Sequence, residues 1–164
     1  MIDGKTLPRW TQIYTHIHED GKNVHILTSA LRDWCLKNCG TPEYLPVDQE
    51  AAKNFMSNNV IHEPRLQTLL EEHRQSRRPV EPIILCKLPT HTGDLPDVLL
   101  VDGHHRFVLF AILYKPIIPA WILEERDWRP FEIDMGERDL THNELRRVPV
   151  AASTRRHKGY NPWK

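Results

Sequence analysis

The sequence predicts a compact α+β domain in which a small mixed sheet packs against helices. Three observations carry that prediction. The apolar runs Ile83-Ile84-Leu85-Cys86-Lys87-Leu88 and Val98-Leu99-Leu100-Val101 have strand length and are bounded by turn residues. The segment Phe107-Val108-Leu109-Phe110-Ala111-Ile112-Leu113-Tyr114 is long enough for a helix and apolar nearly all round, which calls for burial. From residue 63 the chain reads helix, strand, hairpin, strand, glycine loop, helix, strand, an order that fits two packed layers around one core.

Composition narrows the class. With 164 residues the chain is long enough for one domain with a real core. The 22 basic residues are balanced by 22 acidic ones, so no global field draws the protein to nucleic acid or membrane, although a local basic groove stays open. No apolar run approaches the roughly 20 residues of a membrane span, and Met1-Ile2-Asp3-Gly4-Lys5 lacks the apolar region of a signal peptide. Three cysteines, an odd number, fit a reducing compartment, so a cytoplasmic protein is expected. The 10 histidines are scattered, apart from the adjacent pair His104-His105.

Taken in order, residues 9–28 read as a hairpin. Trp10, Ile13 and Ile17 alternate loosely with polar residues, Glu19-Asp20-Gly21-Lys22-Asn23 supplies turn chemistry, and Val24-His25-Ile26-Leu27 resumes a strand. Leu31 to Lys37 fits a short amphipathic helix with Thr28 or Ser29 as its cap and Gly40 beyond its end. Tyr44-Leu45-Pro46-Val47 is extended, Asp48 caps a helix through Met56, and residues 58–62 form a turn. Pro64 opens a helix whose Leu66, Leu69, Leu70 and His73 share one face and which ends at Gln75-Ser76-Arg77-Arg78-Pro79. Strands at 82–88 and 97–101 flank a polar loop at 91–94, and Pro119-Ala120-Trp121-Ile122-Leu123 is a further strand. Residues 125–130 read as a loop and 137–147 as a short charged helix. After Glu144 there are no acids, while Arg146, Arg147, Arg155, Arg156, Lys158 and Lys164 accumulate. Three segments are therefore expected: an N-terminal extension of unknown role packed on the core (1–62), the core itself (63–123), and a charged C-terminal segment with a basic tail (124–164).

The chemistry concentrates at Asp102-Gly103-His104-His105-Arg106, where the apolar strand breaks and the buried helix begins. The first turn of a helix has free N–H groups and the positive end of the dipole, and a guanidinium can fork onto two oxygens, so this pattern suits a phosphate. Asp102 is either an N-cap for that helix or a carboxylate that binds Mg²⁺ or accepts a proton from an attacking hydroxyl. His104 is either structural or a general base or phosphate donor.

These residues carry a resemblance. Sulfiredoxins have Gly-Gly-Cys-His-Arg between a strand and a helix, and many ParB-like proteins of plasmids and phages have Asp-Gly-His-His-Arg, as here. Pro64-Arg65-Leu66-Gln67-Thr68-Leu69 is similar to the Pro-x-Lys-Val-Gln-Ser-Leu helix of sulfiredoxins. Glu81-Pro82-Ile83 looks like their Pro-Pro-Ile, and Ile118-Pro119-Ala120 like their Ile-Pro-Ala. Over residues 63–123 the chain thus resembles the ParB/sulfiredoxin superfamily. The resemblance implies a nucleotide-binding core in which His105 and Arg106 contact phosphates, the backbone at Gly103 and His104 closes the cradle, and Arg65 stands where sulfiredoxins place a phosphate-binding lysine. The reactive cysteine of sulfiredoxins is His104 here, and Cys86 lies on a strand well before the loop, so sulfinic acid reduction is not expected. A full partitioning protein is not expected either, because the Gly-Glu-Arg-Arg box of ParB is missing.

The expected function is therefore ParB-like nucleotide binding with phosphate chemistry on ATP or CTP: hydrolysis, phosphoryl transfer to a small molecule, or DNA phosphodiester cleavage. Arg65, His105 and Arg106 would neutralise the phosphates, Mg²⁺ would bridge their oxygens with Asp102 as its protein ligand, and Asp102 or His104 would orient or deprotonate the attacking group. The competing class is a non-catalytic DNA- or protein-binding module of a plasmid or phage. DNA would be held by the Arg146–Lys164 tail, and a homodimer is compatible with either class. Weaker candidates have simpler readings beside them. Glu43, Asp48 and Glu50 serve as upstream bases or as caps and solvated side chains. His16 and His18 with Cys35 and Cys39 match no common zinc spacing, and Trp121, Trp128 and Phe131 stack bases or fill the core.

Overall fold

The computed structural model describes residues 1–8, 11–17, 23–57, 61–76, 80–88 and 97–136. In chain order they form β1 (Ile2–Asp3), β2 (Ile13–Ile17), β3 (Asn23–Leu27), α1 (Thr28–Asn38), β4 (Glu43–Pro46), α2 (Gln49–Ser57), α3 (Glu63–Gln75), β5 (Ile83–Leu88), β6 (Asp97–Asp102), α4 (His104–Ile112), β7 (Ile117–Leu123), α5 (Glu125–Trp128) and β8 (Ile133–Asp134). The α+β class follows directly. Trp10, the turn at 19–22, the segment 58–60, the loop at 91–94, the charged segment 137–147 and the basic tail lie outside the described residues.

The central sheet has the order β4-β7-β5-β6 and is mixed, with β5 parallel to β7 and the other pairs antiparallel. Side chains alternate along each strand, so each face has its own core. On one face Ile83, Leu100, Ile118 and Ala120 pack with Phe107, Val108, Leu109 and Phe110 of α4, Ala52 and Met56 of α2, and Leu66 of α3. On the other, Ile84, Cys86, Leu88, Trp121 and Leu123 pack with Leu31 and Cys35 of α1, Tyr14 and Ile26 of the hairpin, and Trp128. Helix α4 is thus buried as its sequence requires. No helix among the described residues is long and apolar enough to cross a membrane.

Several elements depart from the sequence reading for identifiable reasons. Strand β2 does not alternate: Ile13, Tyr14 and Thr15 are all buried, because the hairpin is packed on both sides. Asp48 caps α2 as expected, its Oδ1 accepting from the N–H groups of Glu50 (2.9 Å) and Ala51 (3.2 Å). Helix α1, by contrast, already includes Thr28; its N-cap is Leu27 and no side chain caps it. The Thr28 N–H donates to the Gln12 carbonyl at 3.2 Å, so the chain entering β2 supplies the acceptor instead. Residues 125–128 are helical rather than a loop, held by the fully buried Trp128, whose Nε1–H donates to the Lys87 carbonyl at 2.8 Å. The parallel pairing of β1 with β8 involves two residues on each side, too few to leave a periodic signal.

Candidate functional site

Gly103 turns the chain from β6 into α4. It is the N-cap, with φ 105° and ψ 21°, a left-handed conformation that strains any residue with a Cβ. A Cβ there would lie 2.5 Å from Ile83 Cγ2 and 3.0 Å from Arg106 Nη2, so both backbone angle and packing demand glycine. The tight turn lets α4 begin at His104, three residues before its apolar run. No side chain among the described residues caps α4.

Beside this helix start is a cavity of about 50 Å³ lined by Ile13, Tyr14, Thr28, Val101, Asp102, Gly103, His104 and His105. The sequence-predicted residues Asp102, Gly103, His104 and His105 are therefore brought together around one space. The His104 ring stacks on Tyr14 (centroids 6.1 Å apart) and meets the edge of Phe55 (5.1 Å), which restricts its swing. His105 Nε2 accepts from the backbone N–H of His62, the N-cap of α3, at 3.0 Å. With Nε2 accepting, a neutral His105 ring carries its proton on Nδ1.

Arg106 departs from the expectation that it faces the anion. It does not line the cavity. Its Nη2 donates to Asp102 Oδ2 and to the Pro82 carbonyl, each at 3.2 Å, and its Nη1 lies 3.8 Å from Glu81 Oε2. Glu81 in turn takes a two-pronged bond from Arg32 of α1, at 3.0 Å from Nε and 2.6 Å from Nη2. Arg32, Glu81, Arg106 and Asp102 thus form a chain of alternating charge that ties α1, the entry to β5, α4 and the end of β6 together. Asp102 Oδ2 takes the place on Arg106 that a phosphate oxygen was expected to fill. One donor in the chain, Arg106 Nε, is buried without a hydrogen-bond partner among the described residues.

Arg65 is exposed on the first turn of α3 and does not line the cavity either. Glu43, Asp48 and Glu50 are exposed and lie outside it. Trp121 and Trp128 are buried, with their indole N–H groups donating to the carbonyls of Gly40 (3.1 Å) and Lys87 (2.8 Å), and Phe131 packs against the same core. These aromatics fill the core. Burial pushes the Cys86 and Cys35 thiols well above the ordinary thiol range, which leaves them protonated and poor nucleophiles.

Among the described residues no group of three His, Cys, Asp or Glu side chains is placed to hold a metal. Asp102 alone offers a carboxylate to the cavity, which fits Mg²⁺ only as the companion of a nucleotide, shared between one carboxylate and phosphate oxygens. Sequence reasoning misses Arg32, Glu81, Tyr14 and Thr28 as site residues. Only Glu81 has a local signal, as the residue before the Pro82-Ile83 pair.

The ion-pair chain has a measurable pH signature. Arg32 foremost, through its hydrogen bonds, holds the Glu81 carboxyl below the usual carboxylate range, against a smaller opposing effect of burial and with further help from the Arg106 charge. A depressed folded-state pKa adds stability that is fully present above the unfolded-state value and is lost as pH falls through the folded one. Glu81→Gln is therefore expected to destabilise the protein by about 1 kcal/mol at pH 7, a modest figure because the pair is part-exposed. Denaturant titrations from pH 7 to pH 3 should show the two proteins converging as the pH drops below the ordinary carboxylate range; a gap that widens in acid would contradict the pairing.

No family model, curated protein or solved structure matches this chain.

Proposed function

We propose that the chain binds a nucleoside triphosphate, ATP or CTP, through its phosphates at the Gly103–Arg106 turn and carries out phosphate chemistry there. The reaction class is hydrolysis, transfer to a small molecule, or cleavage of a DNA phosphodiester with the Arg146–Lys164 tail on the backbone. The observation that carries this reading is the cavity at the start of α4, walled by Asp102, Gly103, His104 and His105. Backbone N–H groups and the helix dipole favour an anion at that point. Asp102 would ordinarily repel a phosphate. Its pairing with Arg106 offsets that charge and leaves one carboxylate oxygen to orient or deprotonate an attacking hydroxyl. His104, pinned between Tyr14 and Phe55, serves as a donor of fixed position. A bound Mg²⁺ would supply charge stabilisation between Asp102 and the phosphates. Arg106 acts first as the residue that positions Asp102, and reaches a phosphate only by leaving it.

That internal pairing also favours the second reading, a binding module without turnover, since a paired Arg106 and Asp102 equally stabilise the loop as structure. Release of labelled phosphate from ATP and CTP, with and without Mg²⁺ and DNA, separates the two. The catalytic reading predicts turnover that falls at least 100-fold in Asp102→Ala and by a smaller factor in His104→Ala. Binding without turnover in the wild type would leave only the module.

A further inference from the structure

The N-terminal extension, which the sequence leaves without a role, reaches the ion-pair chain through one side chain. Arg32 of α1 holds both oxygens of Glu81, with Nε 3.0 Å from Oε1 and Nη2 2.6 Å from Oε2. Arg106 meets the same carboxylate only at 3.8 Å, outside hydrogen-bond reach, while its Nη2 donates to Asp102 at 3.2 Å. Two carboxylates therefore flank one guanidinium, and Arg106 pairs with the one that Arg32 leaves free. The Arg106 side chain is 17% exposed, and its Nε–H is buried without a hydrogen-bond partner among the described residues. A buried donor left unpaired carries a desolvation cost, and a carboxylate forked onto Nε and one Nη would remove it. Neither carboxylate makes that fork here. Asp102 takes a hydrogen bond from Nη2 alone, and Glu81 is turned to Arg32.

We infer that Arg32 is a positioning residue for the cavity: by occupying Glu81 it keeps Arg106 on Asp102. This rests on the reading of that cavity as an anion site, and it gives the N-terminal extension a part in it. Asp102 lines the cavity, whereas Glu81 and Arg32 do not. While Arg32 is in place, an incoming phosphate meets an Asp102 whose charge Arg106 offsets. Without Arg32, Glu81 is a free carboxylate facing a guanidinium with an unpaired Nε–H. Arg106 then turns to Glu81 for the fork, and Asp102 is left bare toward the cavity. A bare carboxylate repels an anion there. Arg32 thus acts on the cavity through Glu81 and Arg106, without touching what the cavity holds.

The test has one arm without ligand and one with it. Arg32 is exposed on α1, so Arg32→Met leaves the core intact. A crystal structure of ligand-free Arg32→Met is expected to show Arg106 forked on Glu81 at about 2.7–2.9 Å and no longer bonded to Asp102. Arg106 still bonded to Asp102 in that variant would overturn the inference, whatever the protein binds. The second arm is a metal-free calorimetric titration of ATP at about 0.15 M salt, where exposed charges are screened beyond about 8 Å. Arg32→Met is expected to bind about 10-fold or more weakly than the wild type, the loss of one charge-assisted bond at Asp102. Lys37→Met removes the same charge from α1, and Arg32→Met with Glu81→Gln removes the competing carboxylate as well. Both are expected to stay within about 3-fold of the wild type. Rescue by a second substitution cannot come from a damaged fold. An Arg32→Met that binds like the wild type, a Lys37→Met as weak as Arg32→Met, or a double variant without rescue would each overturn the positioning role and leave the anion site intact. A wild type that binds no ATP would overturn the anion site, and with it the effect on binding, whatever the crystal shows.

Discussion

Gly103→Ala is expected to lower the melting temperature by roughly 10 °C, the largest stability loss of any single methyl addition at the site. Two costs combine. The left-handed backbone, φ 105°, strains an alanine by about 1–3 kcal/mol. The new methyl group would sit 2.5 Å from Ile83 Cγ2 and 2.9 Å from Ile83 Cβ, and Ile83 is buried in the core of the sheet. Overpacking of that kind costs about 1–3 kcal/mol more. A residue that cannot move back will push the start of α4 off β5, so phosphate binding should fall together with stability. Scanning calorimetry measures the first effect. A melting temperature within about 2 °C of the wild type would mean that the turn relaxes freely and that the helix start does not require glycine.

Arg106→Ala is expected to weaken nucleotide binding by about 10- to 100-fold, the range for losing one charge-assisted hydrogen bond of about 1.5–3 kcal/mol. Two routes lead there. Either Arg106 swings from Asp102 to a phosphate and is lost as a ligand, or it stays and neutralises Asp102, whose bare carboxylate then repels the phosphates. The distance of 3.2 Å between Arg106 Nη2 and Asp102 Oδ2 favours the second route. A double substitution decides between them. If neutralisation is the role, adding Asp102→Asn to Arg106→Ala restores metal-free binding toward the wild type; if Arg106 is itself the ligand, binding stays weak. Equal affinity in the wild type and Arg106→Ala would remove the residue from the site altogether.

What can be read from the sequence follows from how local each signal is. Helices α2 and α3 and strands β5, β6 and β7 have caps, prolines or apolar runs within their own residues, and they are legible. So is the turn at 102–105, because glycine, strand end and helix start are contiguous. The fate of Arg106 is half legible: Asp102 and Arg106 stand four residues apart, the spacing at which helical side chains pair. Its second ion-pair partner, Glu81, lies in the chain just before β5, with no such local spacing. Arg32, which holds Glu81, is 49 residues away in the chain, and no local pattern links them. Thr28 does stand at a helix start, but it is no cap, since the acceptor that replaces the cap, the Gln12 carbonyl, comes from the chain entering β2. Tyr14 is hidden because a strand buried on both sides has no alternation to read.

The central claim is that the start of α4 holds an oxyanion. Crystals grown with Mg²⁺ and a non-hydrolysable ATP analogue test it most directly. A phosphate group of the nucleotide is expected in the cavity walled by Asp102, Gly103, His104 and His105. Nucleotide phosphates bound elsewhere on the protein, with only water beside Gly103, would contradict it.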